Sequence, residues 1–351
     1  MAAYLHDRTQ FVKVGDASTL VTDITAGVPQ GSVLGPLLFT AYVSPVARLI
    51  DSFAVNHISY ADDFTLYVNL GHDVGDARRR LRECAAVVSN WFMFNDLLLN
   101  PSKSEVLAVG TKVQLKRGVV SESIAIAGAQ VNIKNHMKIM GVTLDIALNF
   151  DKHVSDVVSS TSFHLRALKH VRKAIDKSTA NTIACSIIGS RLDYCNSALA
   201  GISNHNVKRL QRVQNSAART VANAHGRCSV SAIMKDLHWL PIDKRIDYKV
   251  ALTTFKLLST SQPKYLRTVL NLPVAVRPLR SANCKLLDIP FSKTVFCSRA
   301  FSSYAPRLWN NLLQSLRDSV GTDMCSGAVS VDSFKSRLKT VLFRDAYFAV
   351  A

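Results

Sequence analysis

The 351-residue sequence has no C-x-x-C pair, no long apolar run, little glycine or proline, and too few acidic residues to balance its basic ones. Its seven cysteines, at 84, 185, 195, 228, 284, 297 and 325, are odd in number and widely spaced, which excludes a compact secreted disulfide framework and leaves reduced intracellular thiols as the expectation. No run of about 18 or more apolar residues occurs, so no membrane-spanning helix is expected. The most apolar window, 33–50, is interrupted by Gly35, Pro36, Ser44, Pro45 and Arg48 and reads as buried core. The opening residues MAAYLHDRTQ carry charge where a secretory signal needs an apolar centre, and export is not expected. Glycine and proline total only 25 residues while 48% of the chain is hydrophobic, which sets aside disorder and low complexity. No fixed-period repeat and no Gly-rich loop of the dinucleotide or Walker type is present.

What is present is positive charge, unevenly placed. Lys and Arg number 43 against 25 Asp and Glu, a net +18, which favours a polyanionic partner, nucleic acid ahead of an anionic membrane surface. Residues 1–110 hold 8 basic and 11 acidic residues, net −3; the remaining 241 hold 35 and 14, net +21. A cation site in the first part and a phosphate-binding surface in the second would produce this division.

Gly27-Val28-Pro29-Gln30-Gly31 is a turn cluster, and the stretch from Leu34 to Ile50 behind it reads as one helix that Pro36 opens. HISYADDFTLYV, from His57 to Val68, is rich in β-formers and broken once at Ala61-Asp62-Asp63, predicting strand, tight turn, strand. Between Val74 and Asn95, Leu81, Ala85, Val88, Trp91 and Phe92 recur at helical spacing, with Arg78, Arg79 and Arg82 off the stripe. Shorter β-like runs cover 97–109 and 131–145. This order gives an α+β arrangement over 1–150; from 151 to 351 helix signals dominate. On a helical wheel, residues 205–221 put Val207, Leu210, Val213, Ala217 and Val221 on one side and Lys208, Arg212 and Arg219 on the other. Arg166, Lys169, Arg172 and Lys173 repeat the pattern earlier, so two cationic helix faces are candidate nucleic-acid contacts, against the alternative of ordinary solvated faces.

Adjacent carboxylates at a hairpin tip resist joint ionisation unless compensated, and a divalent cation with water and phosphate as further ligands compensates them; Mg²⁺ or Mn²⁺ suits such oxygen donors better than zinc. A merely solvated pair is the competing reading. His225, Cys228 and His238 match no compact zinc spacing. Trp239, Trp309 and Tyr304 sit among aliphatic residues, which favours core packing over stacking on bases.

Tyr60-Ala61-Asp62-Asp63 between β-rich flanks, preceded by Gly27-Val28-Pro29-Gln30-Gly31-Ser32-Val33-Leu34-Gly35-Pro36-Leu37-Leu38-Phe39, closely resembles the reverse transcriptases of LINE-type, non-long-terminal-repeat retrotransposons. Leu99 to Glu105 is similar to the next palm motif and Lys138 to Asp145 to the primer-grip region. Leu237 to Pro241, Arg280-Ser281, Ala305 to Asn310 and Phe334 to Lys339 resemble the tail of jockey-like elements. The resemblance implies a partial polymerase palm over 1–150, an antiparallel sheet with packed helices, followed by a basic, mainly helical thumb and C-terminal region over 151–351. It further implies RNA-directed DNA polymerisation with Mg²⁺ or Mn²⁺ on Asp62 and Asp63, using an RNA template, a DNA primer and deoxynucleoside triphosphates. Gly27, Pro29, Gln30, Gly31 and Tyr60 would contact template and nucleotide, and Met140 and Gly141 the primer. Lys103 would serve as proton donor or charge partner for pyrophosphate, unless it is a solvated lysine after a strand.

One departure from the family pattern is evident. Another metal-binding Asp on an earlier strand and a fingers region are expected upstream, yet only 26 residues precede Gly27, with Asp7, Asp16 and Asp23 as the only acids there. The segment from Tyr4 to Val14 reads instead as the strand before the Pro-Gln-Gly turn. The expectation is therefore a polymerase part, inactive and poorly soluble alone, whose fingers and endonuclease belong to the same element. The alternatives are a non-catalytic nucleic-acid-binding remnant or a relic with no selected role. An intracellular protein, nuclear or cytoplasmic, is expected.

Overall fold

The computed structural model describes residues 2–71, 73–111, 113, 123–224, 228–272, 285–320 and 330–348. The chain divides into two compact units, one formed by residues 1–108 with 113–134 and the other by 109–112 with 135–351. The mixture of helices and small sheets is of the α+β kind.

The first unit begins with a helical turn, α1 (Ala2–Leu5), then β1 (Arg8–Gln10), β2 (Lys13–Val14), β3 (Ala17–Ser18) and β4 (Thr22–Ile24). β1 pairs with β4 and β2 with β3, both antiparallel, so the strand expected from Tyr4 to Val14 is divided between a helical turn and two short strands. The single helix expected from Leu34 to Ile50 is two, α2 (Gly35–Val43) and α3 (Pro45–Asp51). Pro45 has no N–H to continue the ladder and its ring crowds the preceding turn, so α2 stops at Ser44 and α3 restarts with the proline at its first position. Pro36 does open α2, as its place in the sequence implies.

β5 (Asn56–Tyr60) and β6 (Asp63–Tyr67) form the expected hairpin, and α4 (Val74–Phe94) follows. Asp73 caps α4 by accepting the Asp76 N–H, and Asp76 pairs in turn with Arg79 and Arg80 on the outer face. The buried side of α4 presents Cys84, Val88 and Phe92 to Val46 and Ile50 of α3, with Leu81 and Trp91 half-buried at the margin. β7 (Val106–Leu107), β8 (Ile124–Ile126), β9 (Ala129–Val131) and β10 (Ile133–Lys134) complete this unit. Among the described residues every sheet is a two-stranded pair, and β7 with β10 is parallel. The short β-like runs read over 97–109 and 131–145 are realised as strands of two to four residues.

The second unit opens with the antiparallel hairpin of β11 (His136–Ile139) and β12 (Val142–Asp145). Helices follow throughout: α5 (Asp151–Val171), α6 (Lys177–Ile183), a π-helical stretch over Ala184–Gly189, α7 (Ser190–Asp193), α8 (Asn204–Ala222), α9 (Val230–Asp236) and α10 (Ile242–Thr260). After these come α11 (Lys264–Arg267), α12 (Val295–Arg299), α13 (Phe301–Asn311), α14 (Gln314–Arg317) and α15 (Val331–Tyr347). Leu210, Val213, Ala217 and Val221 of α8 are buried, as the wheel requires. Phe255 of α10 stacks on Phe334 of α15 with ring centroids 3.9 Å apart, and Trp309 of α13 lies against the same phenylalanine.

The aromatic residues of the described tail motifs therefore belong to the core. Trp309 is wholly buried and donates its indole N–H to the Lys285 carbonyl; Trp239 donates to Asn181 Oδ1 at 3.2 Å. Tyr304 donates to the half-buried Asp247 carboxylate, whose pKa is raised chiefly by desolvation. None of these three aromatic rings is a free platform for bases. Arg280 and Ser281 lie outside the described residues.

Candidate functional site

The β5–β6 hairpin is specified by its alternation. Register pairs His57 with Leu66 and Ser59 with Phe64 on one face, and Ile58 with Thr65 and Tyr60 with Asp63 on the other. Phe64 and Leu66 pack on the core of α3 and α4, and the Phe64 ring meets Phe92 edge-on at 5.3 Å. The opposite face is open: Ile58 is 53% and Tyr60 65% exposed. Asp63 begins β6 on that open face, so the turn itself is Ala61-Asp62, one residue shorter than expected. Ala61 carries a left-handed φ of 53°, the conformation a two-residue hairpin imposes, which Gly or Asn adopts more easily. Asp62 and Asp63 are both exposed at the tip.

The Pro-Gln-Gly turn is held from two sides. Gly27 and Gly31 adopt φ of 78° and 85°, a region where a side chain is strained. The Arg8 guanidinium donates to the Gly27 carbonyl at 2.7 Å, and the Ser32 hydroxyl, bonded to Tyr4, accepts the Gly35 N–H at 3.1 Å. Pro29 accepts the Ser32 N–H, closing the turn around an exposed Gln30. Nothing in the sequence marks Arg8 or Tyr4 as side chains that reach this turn, 19 and 28 residues away. Lys103 is exposed in a turn begun by Asn100, ahead of β7. No hydrogen bond or ion pair joins Asp62 or Asp63 to Gln30 or Lys103 among the described residues.

Tested against a divalent cation, the tip fits by donor chemistry. Mg²⁺ takes one or two carboxylates and completes its octahedron with water and phosphate oxygens, and two exposed neighbouring carboxylates supply that minimum. No group of three or more His, Cys, Asp or Glu is assembled among the described residues. His225 lies outside them; Cys228 is exposed and His238 stacks on Phe343.

In the second unit Met140 and Gly141 are the two turn residues of the β11–β12 hairpin, both at positive φ. Asp145 anchors its base by accepting the N–H groups of Ala147, Asn149 and Phe150. Thr143 donates its N–H to Nδ1 of His153, a buried histidine whose pKa is lowered mainly by desolvation. Of the cationic residues on α5 and α8, Arg166, Lys169, Lys208 and Arg212 are exposed, as is Lys173 in the following turn. Arg172 is not a free cation: its guanidinium donates to the carbonyls of Thr220 and Val221 at the C-terminus of α8, and to Ile175. Arg219 is half-buried, with a buried, unpaired Nε.

Residues 4–144 match the family model described as reverse transcriptase (RNA-dependent DNA polymerase). The chain is 27% identical over 246 residues to a Drosophila melanogaster protein named probable RNA-directed DNA polymerase from transposon X-element, covering 68% of this chain and 26% of that protein. The chain is thus similar to RNA-directed DNA polymerases of transposons, and over its first part to the reverse transcriptase family. A second Drosophila melanogaster relative, probable RNA-directed DNA polymerase from transposon BS, is 25% identical over 264 residues, 70% of this chain and 28% of its own. The RNA-directed DNA polymerase from mobile element jockey of the same fly is 28% identical over 161 residues, 44% and 17% of the two chains. The chain thus spans about a quarter of the length of these two curated relatives. An alignment covering 68% of the chain is longer than the first 144 residues, so the similarity continues into the helical unit. No solved structure matches the chain. No helix among the described residues is long and apolar enough to cross a membrane.

Proposed function

We propose that the chain is the palm and thumb portion of a retrotransposon RNA-directed DNA polymerase, with residues 1–150 carrying the chemistry and 151–351 the grip on nucleic acid. The observation that carries this reading is the hairpin tip, which presents Asp62 and Asp63 beside an open face of Ile58 and Tyr60 while Phe64 and Leu66 fix the strand from behind.

Asp62 and Asp63 hold the Mg²⁺ or Mn²⁺, which when bound neutralises triphosphate charge and makes the primer hydroxyl a better nucleophile. Tyr60 and Ile58 form the floor on which the primer end and nucleotide rest. Pro29 and Gln30 face template and nucleotide from the turn whose carbonyl Arg8 secures, and Gly27 and Gly31 keep that backbone bare enough for close approach. Lys103 meets the departing pyrophosphate. Met140 and Gly141 contact the primer. Arg166, Lys169, Lys173, Lys208 and Arg212 hold phosphates, whereas Arg172 keeps α5 and α8 together. The template is RNA, the primer DNA, and the fingers and endonuclease come from other parts of the same element.

Primer extension on an RNA template with Mg²⁺, wild type against Asp62→Ala, tests the reading. Incorporation that falls by about 100-fold or more in the variant supports it. Equal background from both removes the enzymatic reading for this chain. In that case the exposed cations of α5 and α8 favour the second reading, a nucleic-acid-binding protein without catalysis, whose affinity must fall steeply with salt.

A further inference from the structure

The Met140-Gly141 turn is a two-residue loop closing the pair Ile139 and Val142, with φ of 44° and 80°. A methionine in the left-handed region is uncommon, so such a turn gains from outside support. Tyr194, just after α7, supports it through both hydroxyl and ring. The hydroxyl donates to the Met140 carbonyl at 2.7 Å, and the ring lies so close to Gly141 that a Cβ there would stand 3.1 Å from Cε1. The Met140 side chain is left 40% exposed.

Tyr194 is itself tied to the centre of the unit. Its N–H donates to the Ser190 carbonyl, and the preceding Asp193 takes a two-point ion pair from Arg245 of α10, with Nε at 2.8 Å from Oδ1. The base of the hairpin is held independently by Asp145 and His153. Removing the phenolic hydroxyl therefore loosens the tip, leaving it the ring contact alone, without releasing the base.

We propose that Tyr194 is a positioning residue for the primer end: it fixes the Met140-Gly141 turn against the helical unit so that a bound primer terminus meets it in one place. The proposal rests on the reading of that turn as the primer grip. It requires that loss of the hydroxyl blur the placement of the terminus and leave overall binding intact, because the exposed cations of α5 and α8 are untouched.

The experiment uses the full chain with a primer bearing 4-thiothymidine at its 3′ end, annealed to an RNA template. Photocrosslinks are mapped by mass spectrometry, and affinity is measured in parallel by fluorescence anisotropy. Wild type crosslinks within residues 138–143. Tyr194→Phe lowers that yield by about fivefold, the worth of one net hydrogen bond, with affinity changed by less than about twofold and an unaltered melting profile; Tyr194→Ala lowers the yield at least as far. Crosslinking by Tyr194→Phe equal to wild type overturns the proposal. So does a parallel fall in affinity, which marks a general folding or binding role. Wild-type protein that binds the duplex without crosslinking at the turn overturns the primer-grip reading, and this proposal with it, before any variant is compared.

Discussion

In the second unit Phe255, Trp309, Phe334 and Leu338 are wholly enclosed, whereas in the first Phe11, Leu20, Val33 and Leu37 stand at 57%, 89%, 87% and 66% exposure. Apolar area stabilises only where it leaves water, at roughly 25 cal/mol per Å², so the helical unit is the better-secured of the two. The first unit keeps its apolar core to the packing of α3, α4 and the back of the β5–β6 hairpin. Its catalytic candidates occupy the exposed side. The enclosed aromatic core and the candidate carboxylates are therefore found in different units.

Four changes test that separation. Trp309→Ala removes the indole packed against Phe334 and should cost the helical unit about 3–5 kcal/mol in urea unfolding; a loss below about 1 kcal/mol would mean the second unit is no better secured than the first. Asp62→Ala should lower any Mg²⁺-dependent incorporation by about 100-fold or more while moving the unfolding midpoint almost not at all, since the side chain is exposed. A destabilised Asp62 variant would give the tip a structural role. Arg172→Ala should destabilise by about 1–3 kcal/mol, because buried carbonyls of α8 lose a charged donor. The double change of Arg166 and Lys169 to Ala should leave stability within about 0.5 kcal/mol. That pair should instead flatten the salt dependence of nucleic-acid affinity, by roughly 0.7–0.9 in log–log slope for each phosphate that is no longer neutralised. If Arg172 and the pair behave alike, the division between packing and binding cations fails.

The smallest effect concerns pH. Burial lowers the pKa of His153 below its ordinary 6.5, so the unfolded chain binds the proton more readily than the folded one. The contribution of neutral His153 is fully present above pH 6.5 and is lost as pH falls through the lowered folded-state value. Replacing His153 with Gln should flatten the stability profile of the helical unit on that acidic side and leave the first unit's profile unchanged. An unchanged profile would show that the β12–α5 junction does not titrate.

The hairpin was legible because alternation and turn chemistry act over neighbouring residues, and so were α4 and α8, whose stripes follow from the helical period. Leu34 to Ile50 was read through a proline because its apolar content masks the break; Pro45 restarts a helix as readily as it ends one. The pairing of β7 with β10 was not legible, since a parallel partner lies beyond any local pattern. Arg172 looked like its neighbours on the wheel, yet its hydrogen-bond partner Thr220 is 48 residues away. Tyr194 gave no signal, being an ordinary tyrosine in a loop, 54 residues from the carbonyl it holds.

The order of residues alone marked the candidate side chains: neighbouring carboxylates at a β-turn, a glycine-flanked glutamine, an excess of cations in the later part, and with them the likeness to LINE-type reverse transcriptases. Only the tertiary structure decided which cations remain free, which aromatics are core, and what holds the Met140-Gly141 turn. Local sequence fixes φ, ψ and the face a residue occupies. Whether a guanidinium or a phenol is available depends on the carbonyl that distant segments bring to it.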